Sequence, residues 1–180
     1  MFFLKGKFYK FFLLSIFLCL SQFSLAQQDV IEEIVVTGSY IKTSSKNDTS
    51  PVDIILRDEI ENIGAFLASE ITKNLSINSG SENNTDAFTS GSTQGTSNIN
   101  LRGLGLSSTL VLIDGRRQTV TGATANDGSV FVNTSTIPLI AIQRVEVLKE
   151  GAASIYGSDA VAGVVNYIFR RDFEGFELDI

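Results

Sequence analysis

The groups in this chain that could do chemistry are few, and the missing ones narrow the reading first. Its 180 residues contain no histidine and a single cysteine, Cys19. The commonest general base and metal ligand are therefore absent, and with them any Ser-His-Asp or Cys-His arrangement. Ser154 and Ser158 lie near glycines, but neither completes a G-x-S-x-G turn, and they read as turn and helix-cap residues. Gly103-Leu-Gly105-Leu-Ser-Ser108 carries two glycines of a dinucleotide loop. The run after it, Thr109 to Ile113, is β-prone, whereas that loop must open a helix whose N-terminus receives pyrophosphate. Carboxylates are plentiful, yet no spacing gathers two into an acid–base pair. No catalytic residue, metal ligand set or cofactor is expected, and the residues favour binding over catalysis.

Residues 1–26 read as an export signal. Lys5, Lys7 and Lys10 precede an apolar run, Phe11 to Leu20, that is shorter than the roughly 20 residues a bilayer span needs, and Ser24-Leu25-Ala26 offers a small-x-small cleavage step. Cys19 lies within this segment, and Ile16-Phe17-Leu18 lacks the small residues expected ahead of a lipidated cysteine. Cleavage would leave 154 residues with no cysteine, enough for one domain that must hold together without disulfides. It removes three of the 14 basic residues and none of the 20 acidic ones, taking the formal net charge from −6 to −9. Such acidity argues against a nucleic-acid partner, whose phosphates demand a basic face.

The elements that would position a binding site follow. Glu33-Ile-Val-Val-Thr37 is a short β-prone run ahead of the polar stretch Lys42 to Ser50, which reads as a flexible linker. A β-prone peptide on a tether suits strand addition to a partner's sheet edge, and it equally suits an ordinary first strand. Val52 to Leu56 reads as a strand and Asp58 to Asn62 as a short helix stopped by Gly64. Phe66, Leu67, Ile71 and Leu75 recur at helical spacing and predict a buried stripe on a helix ending near Asn74 or Leu75.

Strands are expected at Asn98 to Arg102 and Thr109 to Ile113, the second running into Asp114-Gly115, a type I′ hairpin signal, with Arg116 to Val120 as the return strand. Arg116 and Arg117 read as solvated charges beside that turn rather than an anion site. Pro138 opens a helical turn through Ile142, Arg144 to Leu148 alternates as a half-buried strand, and Ala160 to Phe169 returns as a strand after the small-residue connection Gly151 to Gly157. Polar loops at 79–98 and 119–130 interrupt the pattern. In the first, Phe88 is the one large apolar group, and a loop of that length is either disordered or used for binding. The fold class is α+β: a small mixed β-sheet with short helices and long polar loops. Finally, Phe176, Leu178 and Ile180 alternate with Glu177 and Asp179, as in an outer-membrane barrel strand or an ordinary amphipathic edge strand.

Taken in order, Glu33-Ile-Val-Val-Thr-Gly38, Asn100-Leu-Arg-Gly103, Leu110-Val-Leu-Ile-Asp-Gly-Arg116, Ile137-Pro-Leu-Ile-Ala-Ile142, Arg144-Val-Glu-Val-Leu-Lys149 and Ala153-Ser-Ile-Tyr-Gly-Ser-Asp-Ala-Val-Ala-Gly-Val-Val-Asn166 closely resemble the N-terminal plug domain of TonB-dependent outer-membrane receptors. The resemblance covers about residues 29 to 180. It implies a plug within a 22-stranded barrel, with a TonB box at Glu33, Ile34, Val35, Val36 and Thr37 that TonB's periplasmic C-terminal domain takes by strand addition. It also implies that Arg102, Lys149 and, more weakly, Arg144 pair with barrel carboxylates, and that loops 79–98, with Phe88, and 119–130 face the ligand. Many relatives follow the lysine with Gly-Pro where this chain has Glu150-Gly-Ala-Ala153, a departure that leaves siderophore, cobalamin and carbohydrate ligands open.

The expected organisation is a signal peptide at 1–26, the TonB box and linker at 27–50, the plug at 51–171 and a truncated first barrel strand at 172–180. The expected function is the gate and coupling segment of an outer-membrane transporter, exported to the periplasm and non-transporting by itself because its barrel is missing. The alternative is a freestanding exported module that binds a ligand or a protein with the same fold.

Overall fold

A computed structural model of the chain describes residues 34–35, 37, 43–44, 52–82, 93–171 and 175. The expected signal peptide, Glu33, Val36, Phe88 and the amphipathic tail other than Gly175 lie outside the described residues.

Two short strands, β1 (Ile34–Val35) and β2 (Thr43–Ser44), pair antiparallel with Ile34 opposite Ser44 and Val35 opposite Thr43. The remaining strands are β3 (Val52–Leu56), β4 (Thr109–Ile113), β5 (Arg116–Arg117), β6 (Ile142–Leu148) and β7 (Gly163–Phe169). They form one sheet in the order β3-β6-β7-β4-β5. The β4–β7 pair is parallel and the others are antiparallel, so the sheet is mixed as expected. The apolar runs of β4 and β7 place these strands in the middle of the sheet with both faces covered.

One face carries Val111, Val145, Val147, Val165 and Tyr167. Over it pack Ile60 of α1 (Arg57–Ile63), Ala68 and Ile71 of α2 (Ala68–Lys73), and Ile99 and Leu101. The other face carries Leu110, Leu112, Leu148 and Val164 beneath Ala152, Ala160 and Tyr156, the last on the single-turn helix α3 (Ala153–Tyr156). Gly64 ends α1 in the left-handed conformation, as its position after the helix predicts.

Four expectations need correction. The run from Asn98 to Arg102 is not a strand. Its donors scatter: the side chains of Asn78 and Thr109 accept from Asn100 and Leu101, and the Glu82 and Ile77 carbonyls accept from Asn98 and Arg102. Only an isolated bridge between Asn78 and Leu101 remains. The return strand stops at Arg117, because the chain then leaves the sheet for a ribbon closed by Thr121 N–H on Phe131 C=O at 2.8 Å. Phe66 belongs to no buried stripe and is 82 % exposed. The Glu70 carboxylate accepts from Phe66 N–H at 2.6 Å and Leu67 N–H at 3.2 Å, holding both residues ahead of the helix whose buried side is Ala68, Ser69, Ile71 and Thr72. Finally, β6 is not half-buried, since Val145 through Leu148 are all covered.

Tyr167 is fully buried, and among the described residues its hydroxyl makes no hydrogen bond of normal geometry. Burial pushes the phenol above its ordinary value near 10, and the Thr72 side chain opposes only part of that shift. A raised folded-state pKa means that stability is complete below the ordinary phenol range and falls as pH rises above it. Tyr167→Phe is therefore expected to remove the loss between about pH 10 and 11 at little cost at neutral pH, since an unpaired buried hydroxyl contributes little. Thermal melts of both forms across that range check this, and an unchanged alkaline slope would count against it.

Candidate functional site

Glu146 on β6 and Asn166 on β7 stand directly opposite each other in the sheet, and both are completely buried. Strand alternation puts them on the face that carries Leu148, Val164 and Leu112. A carboxylate removed from water persists only where donors surround it. Arg144, two residues earlier on the same strand, meets Oε1 through Nε at 3.0 Å and Nη2 at 2.9 Å. At Oε2 the donors are Asn166 Nδ2, at 3.4 Å, and the hydroxyl of Thr37.

Thr37 is 1 % exposed and its oxygen also accepts from Asn166 Nδ2 at 2.9 Å. Its partner Glu146 lies 109 positions later in the chain. The β1 strand ends two residues before Thr37, so the β-prone N-terminal segment is tied to the middle of the sheet just beyond its own short ladder. The opposite end of the Asn166 side chain, Oδ1, accepts from Gly115 N–H at 3.0 Å. Thr37, Glu146, Asn166 and the turn between β4 and β5 thus form one connected polar seat.

The expected site residues fall in several places. Ile34 and Val35 form β1, and Thr37 occupies the seat. Arg102, at a left-handed φ of 58°, donates Nε to Ala162 C=O at 3.1 Å and Nη2 to Val161 C=O at 2.9 Å. Lys149 pairs with Asp53 on β3, and Arg144 with Glu146. All three cations therefore have partners inside the domain. Arg117, expected to be a solvated charge, reaches the Asp159 carboxylate at 2.6 Å while remaining exposed.

The two polar loops meet. Glu82 N–H donates to Asn98 Oδ1 at 2.8 Å, and the Glu82 carboxylate accepts from Asn126 N–H at 3.2 Å. Beside the ribbon that follows lies a cavity of about 290 Å³ lined by Gln118, Thr119, Thr121, Asn133 and Thr136 with apolar Ile113, Val132 and Ile137. Among the described residues no group of three or more acidic or cysteine side chains could hold a metal ion.

Sequence reasoning missed Glu146 and Asn166. The signal for Glu146 was its place between Val145 and Val147 opposite a strand that is apolar apart from one asparagine. Two polar groups in the middle of two core strands are most simply satisfied by each other.

A small mixed sheet with a few short helices is the fold of the plug domain of outer-membrane receptors. The chain belongs to the TonB-dependent receptor plug domain family, whose family model matches residues 44–164. Over 145 residues it is 31% identical to an iron-regulated outer membrane virulence protein of Vibrio cholerae serotype O1, a match covering 78% of this chain and 20% of that protein. The siderophore receptor PirA of Acinetobacter baumannii superposes with a TM-score of 0.51 at 27% identity, over 71% of this chain and 18% of that one. A variant of the ferric enterobactin receptor PfeA of Pseudomonas aeruginosa gives 0.53 at 26% identity, over 77% and 19%. The chain spans about a fifth of the length of these relatives.

Proposed function

We propose that this chain is the gate and energy-coupling segment of an outer-membrane receptor that takes up iron bound to a siderophore. TonB recognises it by adding a strand to the segment around Ile34 and Val35. The observation that carries the coupling role is Thr37, the end of that segment, held in a buried seat at the centre of the sheet while Ile34 and Val35 are already in extended, strand-paired backbone. Extended backbone of this kind is what strand addition to a partner's sheet uses. The ligand class is supported by what the relatives' names state, an iron-regulated protein and receptors for siderophores. Arg102, Lys149 and Arg144 are proposed to meet barrel carboxylates with whatever surface their internal partners leave, and loops 79–98 and 119–130 to face the ligand.

The coupling role is checked by calorimetric titration of a peptide spanning residues 29–40 into a TonB C-terminal domain. Binding in the micromolar range is expected, weakened at least tenfold when Val35 is replaced by proline, which removes a ladder donor. No heat of binding at high micromolar concentrations would remove the strand-addition role.

A further inference from the structure

The joint between the two polar loops holds two buried polar atoms with no partner among the described residues, Glu82 Oε2 and Asn98 Nδ2. One is an acceptor and the other a donor. They belong to residues already tied together, since Glu82 N–H donates to Asn98 Oδ1 at 2.8 Å and Asn98 N–H donates to Glu82 C=O at 3.2 Å. The first of these bonds also fixes which end of the Asn98 amide is which, because only its oxygen can accept. The other oxygen of the carboxylate, Oε1, is taken by Asn126 N–H of the second loop at 3.2 Å. Buried polar groups that lack a protein partner are characteristically completed by ordered water.

We infer that Glu82 and Asn98 hold one internal water molecule, which accepts from Asn98 Nδ2 and donates to Glu82 Oε2, and that this water makes Glu82 the strut between the two loops. Charge and size select the occupant. A cation would meet the amide hydrogens and an anion the carboxylate, whereas a neutral group that both accepts and donates suits the two atoms together. Asn98 is 1% exposed, and Thr93, Ser97 and Asn100 close to it in sequence are buried too, so the surroundings are polar and closed to anything much larger than water. The mechanical consequence follows from the carboxylate, whose two oxygens share one carbon and move together. With Oε2 held to Asn98 through the water, Oε1 stays aimed at Asn126. With Oε2 free, the side chain regains its rotamers and the bond to Asn126 is made only part of the time. Asn98 thereby decides, through the water, how firmly the second loop is held.

A crystal structure of the full chain in which internal waters are visible tests the site directly. Density for one water within hydrogen-bond reach of both Glu82 Oε2 and Asn98 Nδ2 is the expected result. A direct bond between those two atoms, a metal ion in their place or an empty site would overturn it. The strut is tested by amide hydrogen exchange at Asn126. Glu82→Ala removes the acceptor and is expected to speed that exchange about tenfold, the lower end for losing a hydrogen bond to a charged group. Asn98→Asp keeps the oxygen that accepts from Glu82 N–H but puts an acceptor where the donor was, beside a second carboxylate, and is expected to speed it several-fold. The double variant Glu82→Gln with Asn98→Asp reverses both partners. A water can accept from the new amide and donate to the new carboxylate, so exchange at Asn126 is expected to return close to that of the parent. A rise in Glu82→Ala with none in Asn98→Asp would overturn the strut. Should Asn98→Asp fail to fold, the double variant decides, and exchange there as fast as in Glu82→Ala would overturn the strut equally.

Discussion

Glu146→Ala is expected to destabilise the folded chain by about 3–5 kcal/mol, the range for removing one partner of a buried charge pair. Three effects add. The Arg144 guanidinium loses the carboxylate that balances it at 2.9 Å, in a side chain only 15% exposed. The Thr37 hydroxyl loses its acceptor. A fully buried side chain is replaced by a methyl group, leaving space between β6 and its covering that the sheet closes only in part. Glu146→Gln keeps the shape and an oxygen for Thr37, so its loss is expected to be smaller, about 1–3 kcal/mol. Urea denaturation midpoints at unchanged slope measure both. A loss under 1 kcal/mol for the alanine variant would show that the seat contributes nothing to holding the fold.

An apolar residue in place of Glu146 would fill the same volume without desolvating a charge, so the seat is a poor device if stability alone is its purpose. Its advantage is selectivity. An apolar socket would accept Thr37 or Val36 alike, and a one-residue slip of an N-terminal strand reverses which side chains face the sheet. A socket demanding a hydroxyl fixes the register at Thr37. This register in turn fixes how much backbone ahead of it stays available for pairing.

The elements that depend on local pattern were legible in the sequence. The boundaries of β3 and β4 follow from their apolar runs, Gly64 closes α1, and Asp114-Gly115 turns the chain where it should. The misreadings share one cause, that long-range partners decide what local pattern cannot. Arg144-Val-Glu-Val-Leu148 alternates as a half-buried strand would, but Glu146 is buried and hydrogen-bonded to Thr37 from the far end of the chain. Asn98 to Arg102 has strand composition, yet the side chains of Asn78 and Thr109 and the carbonyls of Ile77 and Glu82 satisfy its donors before another strand can. Phe66 has the spacing of a core residue, and Glu70 holds it outside the helix that spacing requires. The seat was half legible: Thr37 stood out as the end of a motif, while its two buried partners read as ordinary strand residues.

Gly163→Ala is expected to cost about 3–5 kcal/mol, combining steric overlap with a backbone conformation that side chains rarely adopt. Gly163 opens β7 at φ +144°, and a Cβ there would lie 2.5 Å from the Leu148 carbonyl oxygen and 2.7 Å from Leu101 Cδ1. One is backbone in a paired strand and the other is a buried core side chain, so neither can give way cheaply. Gly157→Ala isolates the conformational part: its φ is +87°, and the added Cβ would meet only the Arg117 Nη2 group, at 3.7 Å. That variant is expected to lose about 1 kcal/mol. Equal losses in the two would mean that close packing at the start of β7 is not what requires glycine. A larger loss at Gly163 carries a second consequence for the seat. Asn166 lies three residues along the same strand, so displacing β7 moves its amide away from both Glu146 and Gly115. Exchange at Val35 and Thr37 in a Gly163→Ala chain that still folds is therefore expected to accelerate more than global destabilisation alone predicts, because the same shift that strains the core also loosens the seat.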